Sequence, residues 1–279
     1  RLSQQEREHG VVCASAGNHA QGVALACSEL GIDGTIYLPS STPRQKRDRI
    51  ESLGGDHVQM VFVHGTFDEA QAAAKSDATE TGRIYVHPFD DPDVMAGQGS
   101  IAKEISNQLG SDLGTVLIPV GGGGLLAGMA AWLKTNRPGV RVIGVEPRGA
   151  ASMAAALEAG QPTTLEDIDG FVDGTAVRRA VDLSHAIIGS LVDQIVTVPE
   201  GAVGKEMLDL YHTDGIIAEP AGALASAAIA MAAAGELPEL ELQGTTVAIV
   251  SGGNNDLSRY AEVQERSLVY QGLRHYFLV

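Results

Sequence analysis

Thr115-Val116-Leu117-Ile118-Pro119-Val120-Gly121-Gly122-Gly123-Gly124-Leu125-Leu126-Ala127-Gly128 is the stretch on which the fold turns. Its first half is a nearly unbroken apolar run, the pattern of a strand covered on both faces in a parallel sheet. Its second half opens a helix of small and apolar residues. Between them stand four consecutive glycines. A plain turn needs one or two, because a glycine fixed in a fold loses more chain entropy than any other residue. Four suggest a backbone that comes close to an anion, with its N–H groups and the positive end of the next helix acting together. A generic turn is the plainer alternative. The loop has no Gly-Lys-Ser/Thr ending, so it is not a Walker loop.

The same order of strand, loop and helix repeats outward from this segment. Apolar runs at Val11 to Ala14, Thr35 to Leu38, Val58 to Val63 and Arg83 to Val86 precede it, and Arg141 to Val145, Gln194 to Val198 and Thr246 to Val250 follow it. Helical stretches fill the gaps. Thr42 and Pro43 are expected to open one as N-cap and first-turn proline, with Gly54 past its end. Ala221 to Ala234 is nearly all small and apolar, which predicts a helix buried on most sides. The fold class is therefore α/β with mostly parallel sheet. His87-Pro88-Phe89-Asp90-Asp91-Pro92 reads as a loop. It suggests a smaller lobe over 1–90, a larger one over 91–265, and a linker into a further domain over 266–279.

The chain has 279 residues and a formal net charge of -16. So acidic a surface repels phosphate backbones and anionic lipid, which argues against nucleic-acid and membrane partners. Cys13 and Cys27 are the only cysteines, in no metal-ligand spacing, so no metal is expected and a reducing, cytoplasmic location is. The start is polar and unlike a signal peptide. Leu2 to Glu8 reads as the end of a helix already under way, and Leu273 to Val279 as a strand-like run, so sequence is expected on both sides.

Two further loops carry chemistry. Ser15-Ala16-Gly17-Asn18-His19-Ala20-Gln21-Gly22 follows a strand and opens a helix, where free N–H groups suit a carboxylate. A simple capping turn explains it equally well, and His19 alone reads as a packing histidine. Ser251-Gly252-Gly253-Asn254-Asn255 lies where a buried strand emerges, the usual place for ligands in open α/β sheets. A capping serine is the alternative. Gly122 to Ala127 also fits the degenerate G-x-G-x-x-A dinucleotide pattern, with Glu146 at the end of the next strand as a ribose-binding acid.

Taken together, the three loops resemble the fold-type II pyridoxal-phosphate enzymes, and among them the biosynthetic threonine dehydratases. Ala14 to Gly22 resembles the asparagine loop, Gly121 to Leu125 the tetraglycine phosphate loop, and Ser251-Gly252-Gly253-Asn254 the serine facing the pyridine nitrogen. His87 to Asp91 with Gly97-Gln98-Gly99, Gly144 to Pro147, and Glu219 to Ala223 follow in the family's order, so the resemblance covers about residues 10–265.

The resemblance implies two open, mostly parallel sheets with pyridoxal 5'-phosphate between the lobes. Asn18 would meet the ring hydroxyl oxygen. Gly121, Gly122, Gly123, Gly124 and Leu125 would hold the phosphate, and Ser251 the ring nitrogen. Ser15, Ala16, Gly17, Asn18 and His19 would take the substrate carboxylate. A neutral serine hydroxyl leaves the ring a weaker electron sink than a carboxylate would, which favours prompt loss of a β-leaving group. Related serine racemases have a second serine where Ala16 stands, so elimination is favoured over racemisation. The implied reaction converts L-threonine, and L-serine, to 2-oxobutanoate or pyruvate and ammonia, the first step of isoleucine biosynthesis, in a homo-oligomer. The alternatives are a β-replacement synthase, a serine racemase or dehydratase, and, from the glycine pattern, a dinucleotide-binding dehydrogenase. The family's Schiff-base lysine precedes the asparagine loop. Lys46, Lys75, Lys103, Lys134 and Lys205 all read as surface residues, so that lysine is expected upstream of Arg1 and the 279 residues alone are expected to be inactive.

Overall fold

The computed structural model describes residues 2–277 and divides into two compact units, Arg1–Val94 and Met95–Val279. The first unit runs α1 (Gln4–His9), β1 (Val11–Ala14), α2 (Asn18–Leu30), β2 (Gly34–Pro39), α3 (Arg44–Gly54), β3 (Val58–Val63), α4 (Phe67–Thr81) and β4 (Ile84–Tyr85). Helix α5 (Pro92–Leu109) begins at its end. The second unit continues with β5 (Leu113–Pro119), α6 (Gly124–Asn136), β6 (Arg141–Pro147), α7 (Ser152–Ala159) and α8 (Asp182–Leu191). It closes with β7 (Gln194–Val198), α9 (Glu200–Asp209), α10 (Pro220–Ala233), β8 (Thr245–Ala248) and α11 (Tyr260–Tyr270).

Each unit is built on one four-stranded sheet, in the orders β3-β2-β1-β4 and β7-β6-β5-β8. Every pairing is parallel. Each of the expected apolar runs contains a strand. The two orders share one topology. From its first strand the chain walks two strands outward, then returns to pair on that strand's other side. A topological switch point results beside β1 in one unit and beside β5 in the other, where open α/β sheets bind ligands.

Both faces of the second sheet are covered. Leu117, Ile143 and Val145 point into a core shared with Val203, Leu224 and Val263 from α9, α10 and α11. Their sequence neighbours Val116, Ile118 and Val142 point the other way, against Leu126, Met129 and Ile188 from α6 and α8. This is the period-two alternation of a strand, with apolar residues required at every position. In the first unit Val11, Cys13, Ile36 and Leu38 pack against Ala20, Val23, Ala24 and Cys27 of α2 and Ile50 of α3.

Several local expectations are corrected. Thr42 does not cap α3; its hydroxyl donates to Pro39 O at 2.7 Å, Pro43 becomes the cap residue and Gly54 is the last helical residue. The first helix has its own start, because Ser3 and Glu6 form a reciprocal capping box at Gln4. Residues 266–270, read as linker, are the last turns of α11, which packs on α9. Residues 274–277 form no strand. Leu278 and Val279, the rest of that run, lie outside the described residues. Among the described residues no helix is long and apolar enough to cross a membrane.

Candidate functional site

The glycine loop leaves β5 at the switch point of the second unit. Among the described residues, nothing accepts a hydrogen bond from the backbone N–H of Gly121, Gly122, Gly123, Gly124 or Leu125. The first helix-type bond is donated by Ala127 to Gly123 O. Helix α6 has no side-chain cap and no acid in its first turn. A row of unsatisfied donors at the positive end of a helix fits a phosphate ester, which would take those bonds without competing with a carboxylate.

The glycines are also demanded by packing. A Cβ on Gly121 would lie 2.8 Å from Thr175 Cα. Gly123 has φ +87°, and a Cβ there would lie 2.8 Å from Ile188 Cδ1 and 3.0 Å from Met153 Cε and Ser184 Cβ. The loop is thus held by α7, α8 and the segment around Thr175.

Strand β8 is the direct neighbour of β5, so the Ser251 turn leaves the same sheet end as the glycine loop. Ile249 N donates to Leu117 O at 3.0 Å, and Ser251 emerges exposed two residues later. The turn is pinned to the start of α10. Glu219 N donates to Gly252 O at 3.0 Å, and Asn255 Nδ2 to Ala218 O at 2.8 Å. Gly222 is needed for this approach, since a Cβ would lie 2.4 Å from Gly252 O. A lone serine hydroxyl, held on a rigid turn, suits a neutral ring nitrogen.

In the first unit the asparagine loop leaves β1 at the other switch point. Gly17 N donates to Ser15 Oγ at 3.1 Å, and Gly17 caps α2 without a side-chain bond. The first turn of α2 contains no acid. Asn18 and His19 are its first two residues. His19 Nε2 donates to Val86 O at 3.0 Å, and burial holds its pKa below the ordinary histidine value. The ring is therefore neutral, with its proton on Nε2 and Nδ1 left as an acceptor. His87 is also kept neutral by burial, and its Nδ1 accepts from Phe89 N and from Asp90 N at 2.7 Å. It shapes the loop before α5.

Other chemistries find little support. Glu146, the candidate ribose acid, is fully buried, and its carboxyl accepts from Met153 N and Ala154 N, both at 2.8 Å. It caps α7 and cannot reach a ribose. Burial pushes the Cys13 thiol up to about 12 and the Cys27 thiol up to about 11, so neither supplies a thiolate. Among the described residues no group of three His, Cys, Asp or Glu side chains could hold a metal ion. Lys134 is not a solvated surface residue as expected. Its Nζ donates to Asp193 Oδ2 at 2.6 Å and to Val140 O at 2.8 Å. The hydrogen bond to Asp209 raises the pKa of Lys205, which keeps that ammonium protonated and non-nucleophilic.

The sequence did not single out residues 160–181, which supply Thr175 beneath Gly121. Their only signal was length without periodicity, uncommon for a connection in a compact domain unless it is functional.

Two α/β units with parallel sheets, and a glycine loop of unpartnered amides beside a serine turn on neighbouring strands, fit an enzyme that holds a phosphorylated cofactor. The chain belongs to the pyridoxal-phosphate dependent enzyme family, which matches residues 1–252. It is 51% identical over 281 residues to the biosynthetic L-threonine dehydratase of Mycobacterium tuberculosis, covering 100% of this chain and 64% of that protein. For the Bacillus subtilis protein of the same name the identity is 46% over 280 residues, 100% of this chain and 65% of that one. The chain thus spans about 64% of the length of these curated relatives. Threonine deaminase isoform 2 from Solanum lycopersicum has a TM-score of 0.88 at 42% identity, covering 96% of this chain and 76% of that one. Maize serine racemase gives 0.84 at 29%, covering 97% and 81%.

Proposed function

We propose that the protein built on this chain eliminates water from L-threonine, and also from L-serine, to release 2-oxobutanoate or pyruvate and ammonia. The observation that carries the reading is the row of unpartnered amides from Gly121 to Leu125 at the start of α6. It supports a phosphate held at this point of the chain. The names of the relatives supply the substrate. Bound there, pyridoxal phosphate provides an electron sink for charge developing at the substrate α-carbon.

The chain's own residues do the rest. The amides of Gly121, Gly122, Gly123, Gly124 and Leu125 hold the phosphate oxygens. Ser251 meets the ring nitrogen without fixing a proton on it. Asn18 meets the ring hydroxyl oxygen. The turn of Ser15, Ala16, Gly17, Asn18 and His19 receives the substrate carboxylate on the first-turn amides of α2, with His19 neutral. Ala16 offers no proton, which disfavours return of the α-proton to the opposite face and supports elimination over racemisation. The protein acts in the cytoplasm as a homo-oligomer.

The residue that removes the α-proton is not among the five lysines of this chain. Lys134 and Lys205 are held in ion pairs, Lys75 lies over the Tyr85 ring, Lys103 is exposed, and Lys46 sits half-buried in the charged helix α3. Borohydride reduction of the isolated 279 residues with pyridoxal phosphate should therefore trap no specific adduct. For the activity itself, the full-length protein is given L-threonine and the keto acid is followed by its absorbance or by coupled reduction. Release of 2-oxobutanoate with equimolar ammonia is expected. Product that forms only when a second nucleophile is added would instead identify a replacement enzyme, and D-allothreonine without keto acid an enzyme that inverts the α-carbon.

A further inference from the structure

The connection between α7 and α8 contains no regular element beyond one isolated bridge, Thr164 to Arg179. Its middle is nevertheless fixed. Phe171, Val172 and Thr175 are all buried. What fixes them comes from α11 and from Arg259, the residue just before it. Arg266 makes a two-pronged contact with Asp169, Nη1 to Oδ2 at 2.7 Å and Nη2 to Oδ1 at 3.2 Å. The same guanidinium stands 4.6 Å from the Phe171 ring centroid, and that of Arg259 stands 5.4 Å from it. Arg259 Nη2 donates to Phe171 O at 2.8 Å. Asp169 in turn accepts from Phe171 N at 2.9 Å and donates its own N–H to Gly149 O at 2.8 Å. Burial alone would raise the Asp169 carboxyl, but the bonds from Arg266 and Phe171 bring it below its ordinary value.

From Phe171 the path is short. Thr175 N donates to Val172 O at 2.9 Å, closing a tight turn, and Thr175 Cα sits under Gly121 with no room for a methyl group between them. Packed cores transmit displacement over such distances because they have little free volume. Gly121 therefore takes its place from Thr175, and Thr175 takes its place from the arginine clamp.

We propose that Arg266 is a positioning residue for the phosphate loop, acting through Asp169, Phe171 and Thr175 to hold the Gly121 amide toward an incoming phosphate. This rests on the reading of Gly121 to Leu125 as the phosphate site. Bidentate pairing and ring stacking both need a planar guanidinium, so lysine should replace it only in part.

The test compares two ligands that cannot bond covalently to a lysine, pyridoxine 5'-phosphate and pyridoxine, titrated into the 279-residue chain by fluorescence. Arg266→Met should weaken the phosphorylated ligand about tenfold and leave pyridoxine within about twofold. Arg266→Lys should fall between. Asp169→Asn should reproduce the loss, and the double variant should lose no more than the worse single one, as for residues acting as a unit. Arg274→Met breaks a different ion pair, with Glu265, and should change neither affinity. Equal weakening of both ligands, or an unchanged ratio, overturns the proposal. Should Arg266→Met fail to fold, Arg266→Lys and Asp169→Asn decide by the same ratio. A wild-type chain that shows no preference for the phosphorylated ligand would instead overturn the phosphate site itself, and the clamp with it. A preference that survives in every variant overturns the clamp alone.

Discussion

At the scale of single residues, two positions set how the glycine loop behaves. Gly123 combines φ +87° with contacts to Ile188, Met153 and Ser184 that leave no space for a side chain. Gly123→Ala should cost about 2–4 kcal/mol in a denaturant titration, from left-handed strain plus overpacking. It should also weaken binding of pyridoxine 5'-phosphate more than that of pyridoxine. Glu146, which anchors α7 and so places Met153 beneath Gly123, has its carboxyl pushed by burial up to about 7 from an ordinary 4.5. The folded state then holds a proton that the unfolded chain has lost between those values. The contribution to stability is greatest below pH 4.5 and declines as the pH rises toward 7, by about 3 kcal/mol in all. Glu146→Gln cannot ionise. Its unfolding free energy relative to wild type should therefore improve steadily across that window, and a parallel pair of pH profiles would refute the assignment.

Among elements, the close approach of α5 and α6 is the most demanding. A Cβ on Gly128 would lie 2.0 Å from Met95 O, and one on Gly99 would lie 2.9 Å from Gly128 O. The two helices touch through backbone, and α6 carries the phosphate loop on its first turn. Gly128→Ala must push α6 away from α5, at a cost of about 1–3 kcal/mol in thermal or denaturant unfolding. Because the shift occurs near the start of α6, exchange of the Ala127 amide, which bonds Gly123 O, should accelerate in the variant as well. The contrast with α10 is instructive. Its run of alanines could be read directly as a buried helix, whereas nothing local said that Gly99 and Gly128 face each other from separate helices.

Over the whole molecule, the net charge of -16 opposes a phosphate-bearing ligand. The anion must be captured by short-range amide dipoles against a repulsive long-range field. Raising sodium chloride from about 20 to about 200 mM should therefore speed association of pyridoxine 5'-phosphate severalfold, with no matching change for neutral pyridoxine. A rate that falls with salt would mean that a basic patch steers the ligand.

The strands were legible because buried parallel strands must be apolar at every position, and Val116 to Ile118 and Val142 to Val145 satisfy both faces at once. The three loops could be located because each follows an apolar strand and opens a glycine-containing turn; their binding roles came from the resemblance, since a capping turn or a capping serine fits two of them as well. Helix ends were less so. Thr42 found an acceptor in Pro39 O instead of capping α3, a competition between neighbouring backbone groups that composition does not show. What only tertiary structure decided was which residues support the loops: Glu146 turned inward to α7, Thr175 beneath Gly121, and Arg266 on Asp169 from nearly a hundred residues away in sequence. Those assignments depend on which surfaces the folded chain brings together, and contacts of that kind leave no periodic trace along the sequence.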